Sequence, residues 1–555
     1  MALEKIAPPL WQRNLLFAVV CLAGAGAVVS NLLQSDAMTP PTGHRASHYN
    51  QAGFRTIVDL VDEEFAEEWK KKGVEPAPLA DDLILIRRLS LGLTGTIPSL
   101  QEIRALETQP SEERIQWWLS YLFEDRRMSD YLAERFARAY VGVENGPFII
   151  YRRRRFVSWL ADEFQANRPY DQIVRSLITA EGLWTNNPEV NFVTVTVDQN
   201  EEENDPDEVK LAARVTRAFL GVRIDCVQCH DDHLGDDWKQ KDFHQLASFF
   251  AGTDMAISGI RETDKPYEFK YRRQSDPVKV PAIVPFQYEL LPERGNPRHR
   301  LAHWVTHSEN RAFARATVNR VWALMFGRPL VDPVDEIPLQ DSLENPYPPG
   351  LETLADDLII HKFDLRRLIR VIAATRVFGL DSKVPAARSV PTLEQEKHWA
   401  AFALSRLRPE QVAGSILQAA SLKAIDTDSH IIFRLSRAFQ QGDFIKRYGD
   451  IGEDEFYIQG GTIPQRLLLM NGKLVHERIK DDLVANAATR ILATASDDAE
   501  VVEATYLAVL SRRPSPEEAA YFVGALSQKG FLSRKAKQED LYWALINSTE
   551  FSWNH

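Results

Sequence analysis

"DDLILIRRLSLGL", Asp81 to Leu93, is the stretch on which the fold class turns. Leu85, Leu89 and Leu93 recur every fourth residue, the spacing of one face of an α-helix. The segment before it, "PAPLADD" (Pro76 to Asp82), reads as a helix start, with Asp81 and Asp82 near the positive N-terminal end. The same period returns in "ERIQWWLSYLF" and "MSDYLAERFARAYVGV", whose aromatic side chains are assigned to the core. Upstream, Phe54 to Lys72 is helical in pattern and strongly charged, and a second long helical block runs from about Arg300 to His555.

Two stretches depart from this period. "NFVTVTVDQ", Asn191 to Gln199, alternates like a strand, and Lys265 to Arg300 carries "YEFKY", "VKVPAIVPF" and "LPERGNP", which read as short strands and turns. The expected fold is therefore mainly α: multi-helical domains, a small β-containing connector and a single N-terminal membrane anchor. The expected division is 1–35 anchor or signal, 36–80 tether and first charged helix, 81–262 first helical domain, 263–300 connector and 301–555 second helical domain. A subdivision is expected near 385–396, where "SKVPAARSVPTLEQ" is rich in proline.

The chain has 555 residues, 44% hydrophobic and 26% charged, so it can build packed cores. Its formal net charge of −12 argues against nucleic acid as a partner, because phosphate binding needs a basic surface. The run "LLFAVVCLAGAGAVVSNLL", Leu15 to Leu33, is uninterrupted by charge and follows Lys5 and Arg13. Its length is close to the roughly 20 residues that cross a bilayer. Positive charge on its N-terminal side predicts a cytoplasmic N-terminus and an exported bulk. The expected location is the cytoplasmic membrane, single-pass, with the bulk in the periplasm. Cys21 lies within this run and reads as a buried apolar cysteine; Val20 before it is bulky where a lipoprotein signal wants a small residue.

"FLGVRIDCVQCHDDHLGDDW", Phe219 to Trp238, holds the other two of the chain's three cysteines in the order Cys-x-x-Cys-His. Covalent haem needs two thiols spaced for two vinyl groups and a histidine directly after the second, and Cys226, Cys229 and His230 meet that need. The motif follows an amphipathic helix, "DEVKLAARVTRAFLG", that Gly221 ends. A distal iron ligand cannot come from His233, which is too near in sequence. His244 or Met255 is far enough away, and an open position is the other choice. His244 lies on "QKDFHQLASFFAG", whose Phe243, Leu246, Phe249 and Phe250 would wall an apolar pocket; the plainer reading makes it a helix-surface histidine. Zinc is an alternative cofactor, with Cys226, Cys229, His233 and His244 as four ligands. A Cys226–Cys229 disulfide beside an exposed His230 is another, since export places the pair where disulfides form.

"LSLGLTGTIPSLQEI" (Leu89 to Ile103) resembles "TYLAVLSRRPSPEEA" (Thr505 to Ala519). Each predicts a helix, a tight turn and a second helix capped by Ser99 or Ser515, with Glu102 or Glu518 at the capping-box position. The basic run "YRRRRF", Tyr151 to Phe156, reads as a solvated helix face, with haem propionates or an acidic redox partner as the functional reading. "NRVWALMFGRPLV" either places Asn319, Arg320 and Trp322 at a pocket or is a helix stopped by Gly327 and Pro329. The adjacent pairs Asp81/Asp82 and Asp356/Asp357 read as helix-terminal charges, because neighbours on a helix do not face each other. The sequence has no phosphate-binding glycine loop, Gly-x-Ser-x-Gly elbow or His-Glu-x-x-His.

With these residues set out, "FLGVRIDCVQCHDDHLGDDWKQKDFHQLASFFAG" resembles the cysteine-bearing domain of a bacterial family abundant in planctomycetes, described as paired domains of unknown function associated with cytochromes. The resemblance extends to "RRLSLGLTGTIPSLQEI", "NRPYDQIVRSLITAEG", "RLAHWVTHSENRAFARATVNRVWALMFGRPLVDPVDEI", "FDLRRLIRVIAATRVF" and "ALINSTEF". Cys226, Cys229, His230, Trp238 and Phe243 align with the family pattern, whereas Asp231, Asp232 and Leu234 depart from its usual His-x-His-Pro. The resemblance implies an exported protein and carries no established reaction. The expected function is electron transfer in an envelope complex through one haem c, with membrane lipid and envelope or redox proteins as partners and no catalytic residues. The competing readings are a non-redox envelope scaffold and, on family company alone, a hydrolase acting on polysaccharide.

Overall fold

The computed structural model describes residues 11, 13–22, 40–44, 49, 51–143, 151–197, 205–231, 238–271, 274–340, 346–383, 392–425, 442–449, 456, 461–480, 482, 486–528 and 533–555. The chain is mostly helical, as its dominant period requires. Helix α1 (Ala52–Lys72) ends at Gly73 in the left-handed conformation, with three lysines in its last turn, where they favour the negative end of the helix dipole. Helix α2 (Asp82–Thr94) is capped by the Asp81 side chain, which accepts the Leu83 N–H. Helix α3 (Leu100–Glu107) opens with the predicted Ser99/Glu102 capping box. Helices α4 (Arg126–Val141), α5 (Glu208–Val215), α6 (Gln240–Ala247) and α7 (Arg311–Phe326) follow, and α5 and α6 flank the site described below in sequence. Helices α8 (Asp498–Leu510) and α9 (Pro516–Ser527) form the second predicted hairpin, capped by Ser515 and Glu518.

Strands are short and pair two by two. β1 (Thr253–Ala256) pairs antiparallel with β2 (Gly259–Glu262), β3 (Glu268–Phe269) with β4 (Val278–Lys279), and β5 (Ser405–Arg406) with β6 (Trp553–Asn554). Of the strand expected at Asn191 to Gln199, the described residues 191–197 form none: Asn191–Thr194 is a helical turn and all four of its residues are buried. Alternation reports a strand only when one face meets water, and here neither does. Asn191 also ties the turn to its surroundings, accepting the Arg152 N–H at 2.6 Å and donating to Pro188 O at 2.8 Å.

One continuous apolar core takes in buried side chains from Tyr49 to Phe402, together with Phe456 and Leu507, so residues 81–262 and 301–402 pack together. Its centre is aromatic: Phe65 of α1 stacks on Trp322 of α7 at 5.8 Å, and Trp322 on Phe326 at 4.2 Å. Helices α2 and α7 approach so closely that a Cβ at Gly92 would lie 2.9 Å from Leu324 O. A second core joins residues 407–551 and recruits Leu91 and Ile97 from the α2–α3 hairpin, which therefore stands between the two. Most of the residues 385–396, where a subdivision was expected, lie outside the described residues.

Arg87 and Arg88 of α2 are almost wholly buried. Arg88 donates to Phe378 O, Leu380 O and His555 O at 2.7–3.0 Å and lies 3.6 Å over the Phe402 ring. Arg87 donates to Phe551 O at 3.2 Å. Burial pushes Arg88 down to about 9, opposed by the charge of Asp381, so it stays a cation at neutral pH. For Arg88, carbonyl oxygens take the place of much of the water it gave up, whereas Arg87 has one such partner and two buried nitrogens, Nε and Nη1, without one.

Among the described residues no helix is long and apolar enough to cross a membrane. The run Leu15 to Leu33 falls within them only to Leu22, in a helical stretch where Leu15, Leu16 and Phe17 are exposed. The expected anchor thus has no support from the described part of the chain.

Candidate functional site

Helix α5 runs into a π-helical turn, Thr216–Leu220, which Gly221 closes at φ 64°. A Cβ at Gly221 would meet Ile337 Cδ1 at 2.8 Å and Ala316 Cβ at 3.1 Å, and its carbonyl accepts the Ile337 N–H at 2.8 Å. Glycine is needed at this elbow both for its φ and for the close approach. The chain then turns through a single 3₁₀ turn, Asp225–Gln228, that carries Cys226 and leads directly to Cys229 and His230.

Both cysteines are exposed free thiols. The turn is held from beneath by Val227, which is buried in the core. It is also tied to α6. Gln228 O accepts from Gln240 Nε2 and from His244 Nε2, each at 3.1 Å, and Asp231 Oδ1 accepts the Gln240 N–H at 2.9 Å. His230 is exposed, with Nδ1 2.8 Å from Asp231 O.

His244 is not the helix-surface residue of the plainer reading: it is 1% exposed. Its Nε2–H donates to Gln228 O, so Nδ1 accepts the Tyr267 hydroxyl proton at 2.9 Å. The ring stacks on Phe269 with centroids 3.4 Å apart. Burial lowers its pKa, partly opposed by the Gln228 carbonyl, which keeps it neutral at pH 7. Both ring nitrogens are engaged, so His244 would have to give up either Gln228 O or the Tyr267 hydroxyl to bind a metal. The expected apolar wall is core instead: Phe243, Leu246, Phe249 and Phe250 are each no more than 2% exposed.

Met255 is on β1, half-buried against the core, and its N–H donates to Asp205 Oδ1 at 3.2 Å. His233 lies outside the described residues, so the zinc alternative is not represented in full. Among the described residues no cluster of three or more His, Cys, Asp or Glu is arranged to hold a metal ion.

The remaining candidates find structural work. In the basic run, Arg153 makes a double ion pair with Glu134, both contacts at 2.9 Å. Asp356 pairs with Arg311 and Asp357 with Arg367, so these two carboxylates serve different partners on one helix and are not merely terminal charges. Helix α7 ends at Gly327, as one reading of "NRVWALMFGRPLV" expected, yet the other reading also holds in part. Trp322 is core, Asn319 fixes the loop at Val331 and Val334, and Arg320 lines a cavity.

Fold and site together define a mainly helical protein that presents two free thiols and a histidine on one pinned surface turn. Two family models match the chain, PSCyt2 (DUF1549) over residues 60–255 and PSD1 (DUF1553) over residues 297–434, each described as a protein of unknown function. These two stretches are similar to the planctomycete-type pair of domains, and the Cys226–His230 turn falls inside the first. No curated protein and no solved structure matches.

Proposed function

We propose that the chain is an exported electron carrier with one haem c attached at Cys226 and Cys229 and His230 as the proximal iron ligand. The observation that carries this reading is the pair of free, exposed thiols, one on the 3₁₀ turn and the other just past its end, with a histidine directly following. The donor set suits the attachment chemistry. Each S–H adds across one vinyl group, forming a C–S bond and giving its hydrogen to the neighbouring carbon, with no oxidant consumed. Exposure leaves the turn open to maturation enzymes. When bound, the haem supplies one-electron chemistry, and the protein supplies ligation and placement.

What this chain's own residues do is hold the turn. Val227 anchors it in the core, and Gln240 and His244 pin its Gln228 carbonyl. Because Phe243, Leu246, Phe249 and Phe250 are committed to the core, they do not enclose the macrocycle, and this reading favours a solvent-facing haem. The distal position falls to His244, after release of Gln228 O or the Tyr267 hydroxyl, or to Met255, or stays open. The positive charge before Leu15 to Leu33 supports the outer face of the cytoplasmic membrane as the working location, anchored through this run, with envelope or redox proteins as partners.

The test is expression of the full chain with cytochrome c maturation machinery, followed by haem staining on a denaturing gel. Wild type gives a covalent haem band, and Cys226→Ser/Cys229→Ser gives none. A colourless wild-type protein with stoichiometric zinc, or with the two sulfurs bonded to each other, overturns the electron carrier and leaves an envelope scaffold.

A further inference from the structure

The Gln228 carbonyl belongs to the peptide that leads into Cys229, and two side chains of α6 donate to it. They differ in what holds them. Gln240 is half-buried at the start of the helix, whereas His244 is boxed in. The Phe269 ring stacks on the imidazole, and Phe243 and Tyr271 stand nearly perpendicular to it at 5.6 and 5.9 Å. The Tyr267 hydroxyl donates to Nδ1 at 2.9 Å. Tyr267 is itself tied back to α6: its carbonyl accepts the Val280 N–H at 2.9 Å, and the Val280 carbonyl accepts from Ser248 Oγ at 2.7 Å, just past the helix end. Turning the imidazole would break both of its hydrogen bonds and the Phe269 stack.

His244 also meets the backbone of the turn directly. At 3.1 Å no macrocycle fits between Nε2 and Gln228 O, yet an iron ligand opposite His230 has to reach the metal from across the macrocycle's plane. The carbonyl can only accept, so Nε2 keeps its proton and has no lone pair to offer in this arrangement.

We infer that His244 is a positioning residue for the cysteine turn and not an iron ligand: it holds the Gln228–Cys229 peptide and so sets where the Cys229 sulfur points. Cys226 is on the far side of the buried Val227, two residues from this carbonyl, and depends on His244 less. The consequence for attachment rests on the haem reading, while the geometry belongs to the chain before any haem is added. Addition of a thiol across a vinyl group needs the sulfur held near the correct carbon, so a loosened Cys229 forms its C–S bond more slowly while Cys226 keeps its own.

The full chain, produced with cytochrome c maturation machinery and digested, is tested by mass spectrometry of the two cysteine positions. Wild type is expected to carry both thioethers. His244→Phe fills the box but has no N–H, and should show at least about threefold less thioether at Cys229 than at Cys226, the scale of one lost hydrogen bond. His244→Gln returns a donor near the Nε2 position. It should rescue the Cys229 thioether and leave the iron's spin state and visible absorption as in wild type. A second readout needs no haem. In the haem-free full chain, iodoacetamide should alkylate Cys229 at least about threefold faster in His244→Phe than in wild type or His244→Gln, with Cys226 changed less. If His244→Phe does not fold, judged by circular dichroism, Tyr267→Phe, which releases the tautomer, decides by the same readouts in the same direction. A wild type without haem overturns the electron carrier and leaves the alkylation rates to decide this inference. An altered spin state in His244→Gln makes His244 an iron ligand and overturns it, as do equal alkylation rates in all variants or equal effects on both cysteines.

Discussion

The α2–α3 hairpin and the α8–α9 hairpin end in the same cap and differ in everything around it. In the first, the Ser99 N–H donates to Glu102 at 2.7 Å and Ser99 Oγ accepts the Glu102 N–H at 3.2 Å. In the second, Ser515 and Glu518 repeat both distances. Both turns pass through a left-handed residue, Gly95 at φ 69° and Ser511 at φ 56°. A Cβ at Gly95 would lie 2.4 Å from Tyr131, so only glycine fits there, whereas Ser511 is accommodated. Glu102 is 1% exposed and meets Arg127, from α4, together with the Tyr121 hydroxyl. Glu518 is partly exposed and meets Arg512, from its own turn, which also binds Glu550. A capping box sets where a helix begins. Its burial, and the cation that neutralises its carboxylate, come from whatever layer packs on it.

The largest difference should appear on truncating the two carboxylates. Glu102→Ala leaves Arg127 buried with Asp125 alone and should cost about 3 kcal/mol, the scale for breaking a buried pair. Glu518→Ala should cost about 1 kcal/mol, since solvent replaces part of what is lost. Urea titrations of both variants check this, and equal losses would break the contrast.

A smaller effect is expected from pH. The Arg512 hydrogen bond holds Glu518 below the usual carboxylate range. Burial pushes Glu550 up, but hydrogen bonds and charge from Arg512 and His555 outweigh it and hold it well below that range. A lowered folded pKa gives stabilisation that is complete above the unfolded value, about 4.3, and is lost as pH falls through the folded one. Arg512→Gln should therefore destabilise by about 1–2 kcal/mol at pH 6, and the gap to wild type should shrink below pH 4. Thermal melts across that range read it directly. A gap that stays constant with pH would assign Arg512 to packing.

The smallest effect belongs to the seam between the hairpins, where Arg513 pairs with Glu107 and Glu503 and Arg104 pairs with the same two. These side chains are partly exposed, so a double-mutant cycle on Arg513 and Glu107 should give less than about 1 kcal/mol and fade with salt. A larger coupling would mean that the two hairpins are locked as a unit.

Both caps were legible because Ser-x-x-Glu acts within one turn of chain. The helical class was legible for the same local reason. The Glu102–Arg127 pair was not, since the partner is on another helix, and neither was the cavity that Arg320 lines together with Arg214, Arg217 and Arg223. Arg320 was noticed only inside "NRVWALMFGRPLV", next to Trp322, and nothing local marked its neighbours across the cavity. Period also fails where every face is covered. The residues of α7 from Ala312 to Phe326 are all buried, so no polar side remains to mark orientation. At the cysteine turn, spacing placed Cys226, Cys229, His230 and the helix of His244, but not that His244 Nε2 would already be spent on Gln228 O.

Arg87 and Arg88 have a consequence for how the polypeptide matures. Their partners Phe551 and His555 lie 464 and 467 positions further along, so α2 gains these two carbonyls only once residues 551–555 have been made. Closing so wide a ring costs chain entropy, and until it closes Arg87 lacks the Phe551 carbonyl and Arg88 one of its three carbonyl partners.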